Sequence, residues 1–552
     1  MKTRLILSLR NRWPSTKDLQ TNMVAMKSVR DLHSIPGFSH ARDRSNISQT
    51  RNNIWMCLSL LGVALTVYQV NIVWRGYTKY PIGTRIKVEE SARQYFPAIT
   101  ICPYNKIKCS YLQRDLENCH STNCSNLSRY CQLGLLSGCS YMKMEREKQL
   151  NQSSNFHITC PDQFLELINT EDGNIEDDSL FDEVYGQLQQ TDRQRIGMER
   201  EVMVKLCTIN HRPCSGYFDV QTINTVSRGN CFGFNYNGSF QVRAGPEEGM
   251  SLEFFLARNE SVWHSMNNKV GLRVVLHQPN EVPLIEELGR DVFPGAATSF
   301  SLQIRQNIRQ PAPYPSKCIG SWNETFFTTA KFPVVADWKY SQVGCSRMCF
   351  LQHFMQNCDC IYHNQDDMNI KEYHQNQGIQ PFEYCSMKNQ TSVECLKSSY
   401  DKYNNDKCRC QPSCNETIYE IGTSAMTWPS ESGWYFKAKE YNMTSSSNGN
   451  EPISAKVLDK NESELYSIIR DIQQNLLRLD FYFSSQSRTV IEENPVYPDF
   501  FSLFSNLGGA LSLWMGISFL ALVEVIEVII DCVLRVIQKR RNNVTGSTIT
   551  KE

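Results

Sequence analysis

Residues 500–530 read FFSLFSNLGGALSLWMGISFLALVEVIEVII, an apolar run long enough to cross a membrane as a helix. About 20 apolar residues are needed for such a crossing. A second run, residues 54–74, reads IWMCLSLLGVALTVYQVNIVW and contains no charged residue. The two runs predict transmembrane helices at 54–74 and 500–534. The alternative, a buried core helix of a soluble protein, fits their length and low charge less well.

Basic residues flank the outer end of each apolar run. Ten Lys or Arg residues precede the first run, against three Asp residues, and Arg535, Lys539, Arg540 and Arg541 follow the second. Because positive flanks stay in the cytoplasm, we expect residues 1–53 and 535–552 inside and residues 75–499 outside the plasma membrane. The formal net charge of +0 argues against nucleic acid as a partner.

Cysteines are dense between the two runs, where 20 of the 22 lie. An even, dense set is typical of an oxidising compartment and predicts disulfides, although spacing alone leaves their pairing open. Half of these 20 fall within residues 318–414, which favours paired helices joined by a ladder of bridges. Zinc is the alternative for Cys358-Asp359-Cys360 and Cys408-Arg409-Cys410, but no zinc-finger-like His pair follows either motif.

The segment between the runs is long enough for a substantial core. Residues 95–103 and 271–277 predict strands, because they are rich in β-branched and aromatic side chains. Residues 178–188 predict an amphipathic helix, and residues 464–483 predict a helix that leads into a strand. Ten Asn-x-Ser/Thr sequons favour a glycosylated exterior. The sequons begin at Asn123, Asn126, Asn151, Asn237, Asn259, Asn323, Asn389, Asn415, Asn442 and Asn461.

Small, weakly polar residues form one face of the second run, and three acids follow on one face further inward. These residues are Ser505, Gly509, Ser512 and Gly516, then Glu524, Glu527 and Asp531. Close helix packing explains such a stripe without a pore, and acids near a helix end can reach the interface. Stripe and acids together favour a cation pathway, lined by backbone and hydroxyl oxygens. One such helix cannot enclose a pore, so this interpretation requires an oligomer.

Motifs along nearly the whole chain resemble those of the degenerin/epithelial sodium channel superfamily. They are FPAITIC at 96–102, the cysteines Cys207, Cys214 and Cys231, the cysteine spacing of 345–360, and Leu-Gly-Gly…Gly-Ile-Ser at 507–518. Within the superfamily the chain is most similar to the invertebrate FMRFamide-gated, or peptide-gated, sodium channels. The residues that carry this similarity are 249–254, 271–277, 474–479 and 513–518.

The resemblance implies an α+β membrane protein, a homotrimer of subunits with palm, β-ball, finger, knuckle and thumb around a sodium-selective pore. By position, Gly516-Ile517-Ser518 would form the selectivity filter and Ser512 would contact amiloride. Ser505 would be the degenerin position, where a bulky side chain at the outer mouth holds the channel open. The three acids further inward would line the inner vestibule. Sodium is then the permeant ion, and no cofactor, metal site or enzymatic activity is expected.

Two features bear on gating. Tyr80 and Tyr314 fall near positions where the family packs an aromatic residue after the first span against a loop at the thumb base; two unrelated surface tyrosines are the alternative. The family's His-Gly motif before the first span is altered, since aligning Gly37 puts Pro36 at the His position. Either His33 takes this role or gating differs.

The peptide-gated branch implies that a short amidated neuropeptide of the FMRFamide type opens the channel. A ligand with two aromatic rings and an Arg requires apolar slots and a carboxylate. Segment 164–185 offers both, and a solvated acidic loop beside a core-facing helix is the alternative. The candidate residues are Phe164, Glu171, Asp178, Phe181, Asp182 and Tyr185.

Other functions remain open at this stage. A proton-gated, mechanically gated or constitutively open channel of the same superfamily would share every pore motif. A glycosylated adhesion or receptor ectodomain would explain the cysteines and sequons, but not the stripe or the acids. An enzyme is disfavoured, because no motif resembles a nucleophile–base pair or a catalytic metal cluster.

Overall fold

The computed structural model describes ten segments of the chain and a few helical residues beyond them. The segments are 49–122, 124–136, 176–214, 220–260, 269–325, 338–362, 370–371, 382–386, 389–441 and 462–516, with 526, 529–530, 533–534 and 537. The chain divides into two compact units. The helix unit comprises the described residues up to 83, 313–315, and those from 494 onwards. The sheet unit comprises the described residues of 84–312 and 316–493.

The described residues form α-helices of four to 29 residues. They are α1 (Gln49–Tyr77), α2 (Cys109–Thr122), α3 (Leu127–Leu136), α4 (Glu176–Gln187), α5 (Gln190–Ile196), α6 (Arg200–Met203), α7 (Ile285–Leu288), α8 (Gln342–Cys358), α9 (Gln390–Lys402), α10 (Trp434–Glu440), α11 (Glu462–Asn475) and α12 (Phe500–Met515).

Strands alternate with these helices between residues 82 and 495. They are β1 (Ile82–Glu90), β2 (Gln94–Tyr95), β3 (Ala98–Pro103), β4 (Val204–Ile209), β5 (Arg212–Pro213), β6 (Val220–Thr225), β7 (Gly229–Phe234), β8 (Gln241–Val242), β9 (Met250–Phe255), β10 (Leu272–His277), β11 (Arg290–Val292), β12 (Ala296–Ile308), β13 (Asn415–Thr427) and β14 (Leu476–Pro495).

The helix unit contains the two apolar helices α1 and α12, which pack against each other. Within the described residues, one helix is long and apolar enough to cross a membrane, and it covers Asn53–Tyr77 of α1. Only 11% of its most apolar stretch is buried, as expected of a helix whose outer face meets lipid. The shorter apolar helix α12 covers the first half of the predicted second run. Most of the remainder of that run lies outside the described residues.

The sheet unit is built on a seven-stranded sheet and a five-stranded sheet. The first has the order β13-β12-β14-β9-β4-β5, with β1 also paired to β14, and β12 runs parallel to β14. The second has the order β11-β10-β3-β7-β6. Side chains of both sheets share one core, in which Ile99 and Phe232 of the second sheet lie with Phe300 and Phe481 of the first. Alternation along β12 and β14 places one face of each strand in this core.

Two strand predictions and two helix predictions can be compared with these elements. The helix that leads into a strand is confirmed as α11 followed by β14, and the strand at 271–277 is confirmed as β10. The amphipathic helix is confirmed as α4. The single strand at 95–103 was wrong in one respect, because Phe96 and Pro97 separate β2 from β3. Pro97 has no N–H to donate to a ladder, and the Phe96 N–H donates to the Phe240 carbonyl instead.

Disulfides confirm the interpretation of the cysteines. Five bridges within residues 318–414 are nested, so that each encloses the next: Cys318–Cys414, Cys345–Cys410, Cys349–Cys408, Cys358–Cys395 and Cys360–Cys385. One bridge, Cys358–Cys395, joins α8 to α9, two join α8 to the chain after α9, and the other two link the flanking chain, which agrees with the predicted ladder. Both Cys-x-Cys motifs are used in it, and among the described residues no cluster of His, Cys, Asp or Glu could hold a metal.

Candidate functional site

Helix α12 carries the outer part of the predicted pore segment. A side-chain cap marks its N-terminus and a left-handed glycine marks its C-terminus. Its N-terminus is capped by Asp499, whose Oδ1 accepts the Ser502 N–H at 2.7 Å. It ends at Gly516, which adopts a left-handed φ of 64° while its N–H donates to the Ser512 carbonyl at 3.0 Å. Because glycine takes that conformation without steric cost, the helix stops at the first residue of the predicted filter. Ile517 and Ser518 lie outside the described residues.

The predicted small-residue stripe is exposed on α12. Ser505, Gly509 and Ser512 are all exposed, whereas Leu503 and Ala510 on the opposite side are buried in the helix unit. A Cβ atom built on Gly509 would meet nothing within 4 Å. Contact with α1 therefore leaves the stripe open, where it can meet water or another chain.

The contact between α1 and α12 depends on Gly62, a residue that the sequence analysis missed. A Cβ atom at Gly62 would lie 2.9 Å from the Trp514 carbonyl oxygen, so only glycine permits this approach of the two backbones. The Thr66 hydroxyl donates to the Gly62 carbonyl at 2.8 Å, and the Trp514 indole N–H donates to Gln69 Oε1. A glycine within an uncharged apolar run was the available signal.

Four tyrosines of the helix unit form a connected group. Tyr80 and Tyr314, which sequence reasoning proposed as a gating pair, have ring centroids 5.6 Å apart in an edge-to-face arrangement of 82°. Tyr77 extends the group to both sides, with centroids 6.2 Å from Tyr80 and 5.8 Å from Tyr497. Edge-to-face pairs at these distances are favourable contacts. Tyr80 and Tyr314 thus contact each other. Tyr77, the last residue of α1, contacts Tyr497 in the segment that precedes α12.

The predicted peptide-binding segment is described only in its C-terminal part. There Phe181 is 7% exposed and Tyr185 is fully buried, with their rings stacked at 6.1 Å. Both belong to the core formed with α2, α3 and α8. Asp182 forms an ion pair with Lys106. This part of α4 therefore faces the core, and its two aromatic rings do not line an open slot.

Several other predicted site residues lie outside the described residues. They are His33, Gly37, Phe164, Glu171, Glu524, Glu527 and Asp531, and for Asp178 the helical backbone is described but not the side chain. Their roles stay predictions.

The sequons differ in exposure. Asn237, Asn323, Asn389 and Asn415 are exposed, as an acceptor of glycan must be. Asn126 is half-buried, and its Nδ2 donates to Asp192 Oδ2 at 2.7 Å, a bond that a glycan on the same nitrogen would disturb. Only the backbone of Asn259 is described. Asn123, Asn151, Asn442 and Asn461 lie outside the described residues.

Titratable groups with shifted pKa values lie within the sheet unit. Burial lowers the pKa of His277 to about 4, and its imidazole contacts Thr100 Oγ1 and the Gln278 carbonyl, both at 2.9 Å. Burial raises the pKa of Tyr130 to about 12, and the nearby Asp192 carboxylate adds to the shift. Both side chains are nearly or fully buried, which assigns them to the core rather than to an open site.

Comparison with known proteins agrees with this arrangement. Residues 31–528 match the family described as amiloride-sensitive sodium channel. The chain is 24% identical to the FMRFamide-activated amiloride-sensitive sodium channel of Cornu aspersum, over 95% of this chain and 86% of that protein. It is 27% identical to the epithelial sodium channel subunit beta of Xenopus laevis, over 61% of this chain and 48% of that protein.

A third relative belongs to the degenerins. The chain is 25% identical to degenerin mec-10 of Caenorhabditis briggsae, over 62% of this chain. The match spans 42% of that degenerin, less than half of its length. Because the family match covers nearly the whole chain, the protein belongs to the amiloride-sensitive sodium channel family, which includes the epithelial sodium channels and the degenerins.

Proposed function

We propose that this chain is one subunit of a homotrimeric, sodium-selective and amiloride-sensitive channel of the plasma membrane, opened by an extracellular neuropeptide of the FMRFamide type. The membership in a sodium channel family and the long alignment with an FMRFamide-activated relative support this function. In the proposed topology α1 and the run that begins with α12 both cross the membrane, and both termini are cytoplasmic.

The observation that carries the proposal is the two-faced character of α12. One face, with Leu503 and Ala510, packs within the subunit, while Ser505, Gly509 and Ser512 remain exposed on the other. Exposed apolar surface suits lipid, but hydroxyls and bare backbone suit water and cations. If three copies place this face towards a common axis, they enclose a narrow pathway with Gly516, Ile517 and Ser518 at its constriction.

Expression in voltage-clamped oocytes tests the function. We expect FMRFamide to evoke an inward current whose reversal potential follows external sodium, and amiloride to block it. Replacing sodium by N-methyl-D-glucamine should abolish the inward current. A current evoked by acid or stretch but not by FMRFamide would keep the channel and overturn peptide gating. No sodium-dependent current under any of these stimuli would overturn the channel itself.

Cysteine accessibility tests which face of α12 lines the pathway. We expect a positively charged methanethiosulfonate reagent to block the peptide-evoked current of Ser512→Cys. The matched control is Leu513→Cys, since Leu513 is 70% exposed on α12 but lies off the stripe. Equal block of both variants, or block of the control alone, would contradict the proposed orientation. Cys57, the free cysteine among the described residues, is replaced by Ser in both backgrounds.

The gating contacts form the finer part of the proposal. Tyr80 and Tyr314 would couple the extracellular domain to the gate, with His33 and Gly37 acting on the cytoplasmic side. A double-mutant cycle with Tyr80→Leu and Tyr314→Leu measures the coupling through the peptide concentration for half-maximal current. Strictly additive shifts would exclude a functional coupling through this pair.

The peptide site is proposed in segment 164–185, around its acidic residues. Because Phe181 and Tyr185 are buried and Asp182 is ion-paired, Glu171 and Asp178 are the better targets for mutation. We expect Glu171→Gln with Asp178→Asn to raise the half-maximal peptide concentration without changing amiloride block. An unchanged dose–response curve would place the peptide elsewhere.

A further inference from the structure

A cavity of about 260 Å³ lies within the helix unit, beside the tyrosine group. Its wall is formed mainly by six residues from the end of α1, the start of α12 and the segments next to these two helix ends, together with the short 313–315 segment. These residues are Tyr77, Tyr80, Tyr314, Tyr497, Asp499 and Phe500. Binding pockets for drug-sized molecules are usually about 300–1,000 Å³. This cavity is therefore suited to a compact ligand group.

The chemistry of the wall is that of a cation site. Five of these residues carry aromatic rings, one is a carboxylate, and none of the residues that line the cavity is basic. Aromatic faces attract organic cations through the ring quadrupole, and groups of rings around a quaternary ammonium are a recurrent solution. An anion would meet no compensating positive side chain here.

Asp499 has capacity left for such a cation. Its Oδ1 accepts the Ser502 N–H at 2.7 Å, while within the described residues its second oxygen has no hydrogen-bond partner. Asp499 is exposed, so its charge is not already neutralised inside the core. One oxygen can therefore hold the helix N-terminus while the other faces a ligand.

Tyr80 supplies an independent observation. Its φ is 49°, in the left-handed region that a bulky non-glycine side chain rarely adopts. Such strain persists only where surrounding contacts enforce it, and it is concentrated at ligand clamps and switches. Here the strained backbone holds the Tyr80 ring against Tyr314, on the cavity wall.

We propose that this cavity binds a compact alkylammonium group, either the choline headgroup of a membrane lipid or a free quaternary amine in solution. A bound cation would contact residues next to both apolar helices at once. By mass action it would stabilise the conformation in which Tyr77, Tyr80, Tyr314 and Tyr497 enclose the cavity. This ligand site is separate from the stripe on α12 and does not depend on what opens the channel.

Equilibrium binding of radiolabelled tetramethylammonium to the purified full-length chain tests the proposal. The protein is held in dodecyl maltoside micelles, which contain no choline, with excess sodium chloride to suppress non-specific ion pairing. We expect saturable binding with a Kd on the order of 1 mM, since one small cation makes few contacts. Choline should compete with the label, and sodium should not.

Four variants separate binding from folding. Tyr497→Leu removes a ring and Asp499→Asn removes the charge but keeps an N-cap acceptor, and each should weaken binding about fivefold or more. Tyr497→Phe keeps the ring and should bind within about twofold of the unmutated chain. Tyr95→Leu, at an exposed tyrosine of the sheet unit, should change nothing. Melting temperatures of all four verify that each variant is folded.

Nanodiscs distinguish the two sources of the ammonium group. If a lipid headgroup fills the cavity, the apparent affinity for tetramethylammonium falls in phosphatidylcholine discs relative to phosphatidylglycerol discs. Equal affinity in both assigns the cavity to a soluble cation. Non-saturable binding in micelles, or equal binding by the unmutated chain, Tyr497→Leu and Asp499→Asn, overturns the site.

Discussion

Two pairs of helices in this protein are held together in opposite ways. α8 and α9 belong to a segment closed by five nested disulfides, whereas α1 and α12 meet through the close approach at Gly62 and a hydrogen bond from Trp514 to Gln69, with no covalent link among the described residues. The first pair belongs to a segment whose helices are partly polar, so that less apolar area is available to hold them. The second pair is mostly apolar and leaves most of its surface exposed. Disulfides thus stabilise the α8–α9 segment where apolar burial is limited. In the helix unit, α1 and α12 pack closely on one side and leave the other face of α12 exposed.

Removing the outermost bridge should have the largest effect. With Cys345–Cys410 intact, replacing Cys318 and Cys414 by Ala frees a loop of about 30 residues. Loop-closure entropy then predicts a loss of about 4 kcal/mol in the free energy of unfolding. The melting temperature of the purified protein measures it.

The next bridge inward provides the control. Cys345→Ala with Cys410→Ala leaves bridges on both sides, so only about six residues gain freedom and the expected loss is about 2 kcal/mol. Equal losses for the two double mutants would mean that the ladder does not act through chain entropy.

Acid should affect the five-stranded sheet, to which His277 belongs, but not the ladder. His277 is held neutral because burial disfavours the charged imidazolium, while its Nδ1–H donates a hydrogen bond to the Gln278 carbonyl and its Nε2 accepts one from the Thr100 hydroxyl. Its pKa falls from 6.5 unfolded to about 4 folded, so the stability is present above pH 6.5 and is lost as pH falls towards 4. Linkage predicts a loss of about 2 kcal/mol between pH 7 and pH 5, measured by chemical denaturation.

His277→Asn is the matched variant for this pH effect. The amide can donate to the Gln278 carbonyl and accept from Thr100, but it does not titrate. The variant should lose most of the stability difference between pH 7 and pH 5. The same pH dependence in both proteins would assign the effect to other groups.

The contact of α1 with α12 should be sensitive to a single methyl group. Gly62→Ala places a Cβ atom 2.9 Å from the Trp514 carbonyl, and we expect a loss of about 1–2 kcal/mol from the forced separation of the backbones. Gly508→Ala is the control, since a Cβ atom there would meet nothing within 4 Å of the same subunit. Its expected effect is neutral or slightly stabilising through helix propensity. Equal melting temperatures for the two variants would contradict the close crossing.

The same two regions also differ in how far the sequence predicted them. The cysteine ladder followed from the crowding of ten cysteines, but nothing in their spacing chose the nested pairing, which is set by the packing of α8 and α9. In the apolar runs, composition predicted α1 and the exposed stripe of α12. The role of Gly62 depends on which turn of α1 faces Trp514. This is a feature of tertiary packing, and the hydrophobic periodicity of the sequence does not predict it.

Segment 164–185 shows why sequence alone left side-chain accessibility open. Its acids and aromatic residues are compatible with a ligand site and with a core-facing helix, because both use one apolar face. The structure places Phe181 and Tyr185 in the core beside the fully buried Arg193, whose guanidinium lies 5.9 Å from the Tyr185 ring centroid. A buried arginine has no local signature in the sequence. The assembled neighbours Asn224, Leu188 and Gly186, which accept its hydrogen bonds, help to account for it.

The smallest effect concerns Asn389, where a predicted sequon coincides with the N-terminus of α9 inside the ladder. Its Oδ1 accepts the Thr391 N–H at 3.0 Å and so caps the helix. Asn389→Ala removes both cap and sequon, and should cost about 1 kcal/mol beyond any effect of the glycan. Thr391→Ala removes the sequon and the bond from the Thr391 hydroxyl to Asn389 Oδ1, but keeps the cap bond from the backbone N–H of residue 391. Digestion with an N-glycosidase should then shift the mobility of the unmutated chain more than that of either variant.

Melting temperatures of the deglycosylated proteins complete this test. If the cap matters, Asn389→Ala melts below Thr391→Ala even without glycan. If both melt together, the five bridges fix α9 so firmly that its end needs no cap, and covalent linkage then dominates local hydrogen bonding throughout the cysteine-rich region. That outcome would sharpen the contrast with α12, whose N-cap Asp499 has no neighbouring bridge to replace it among the described residues.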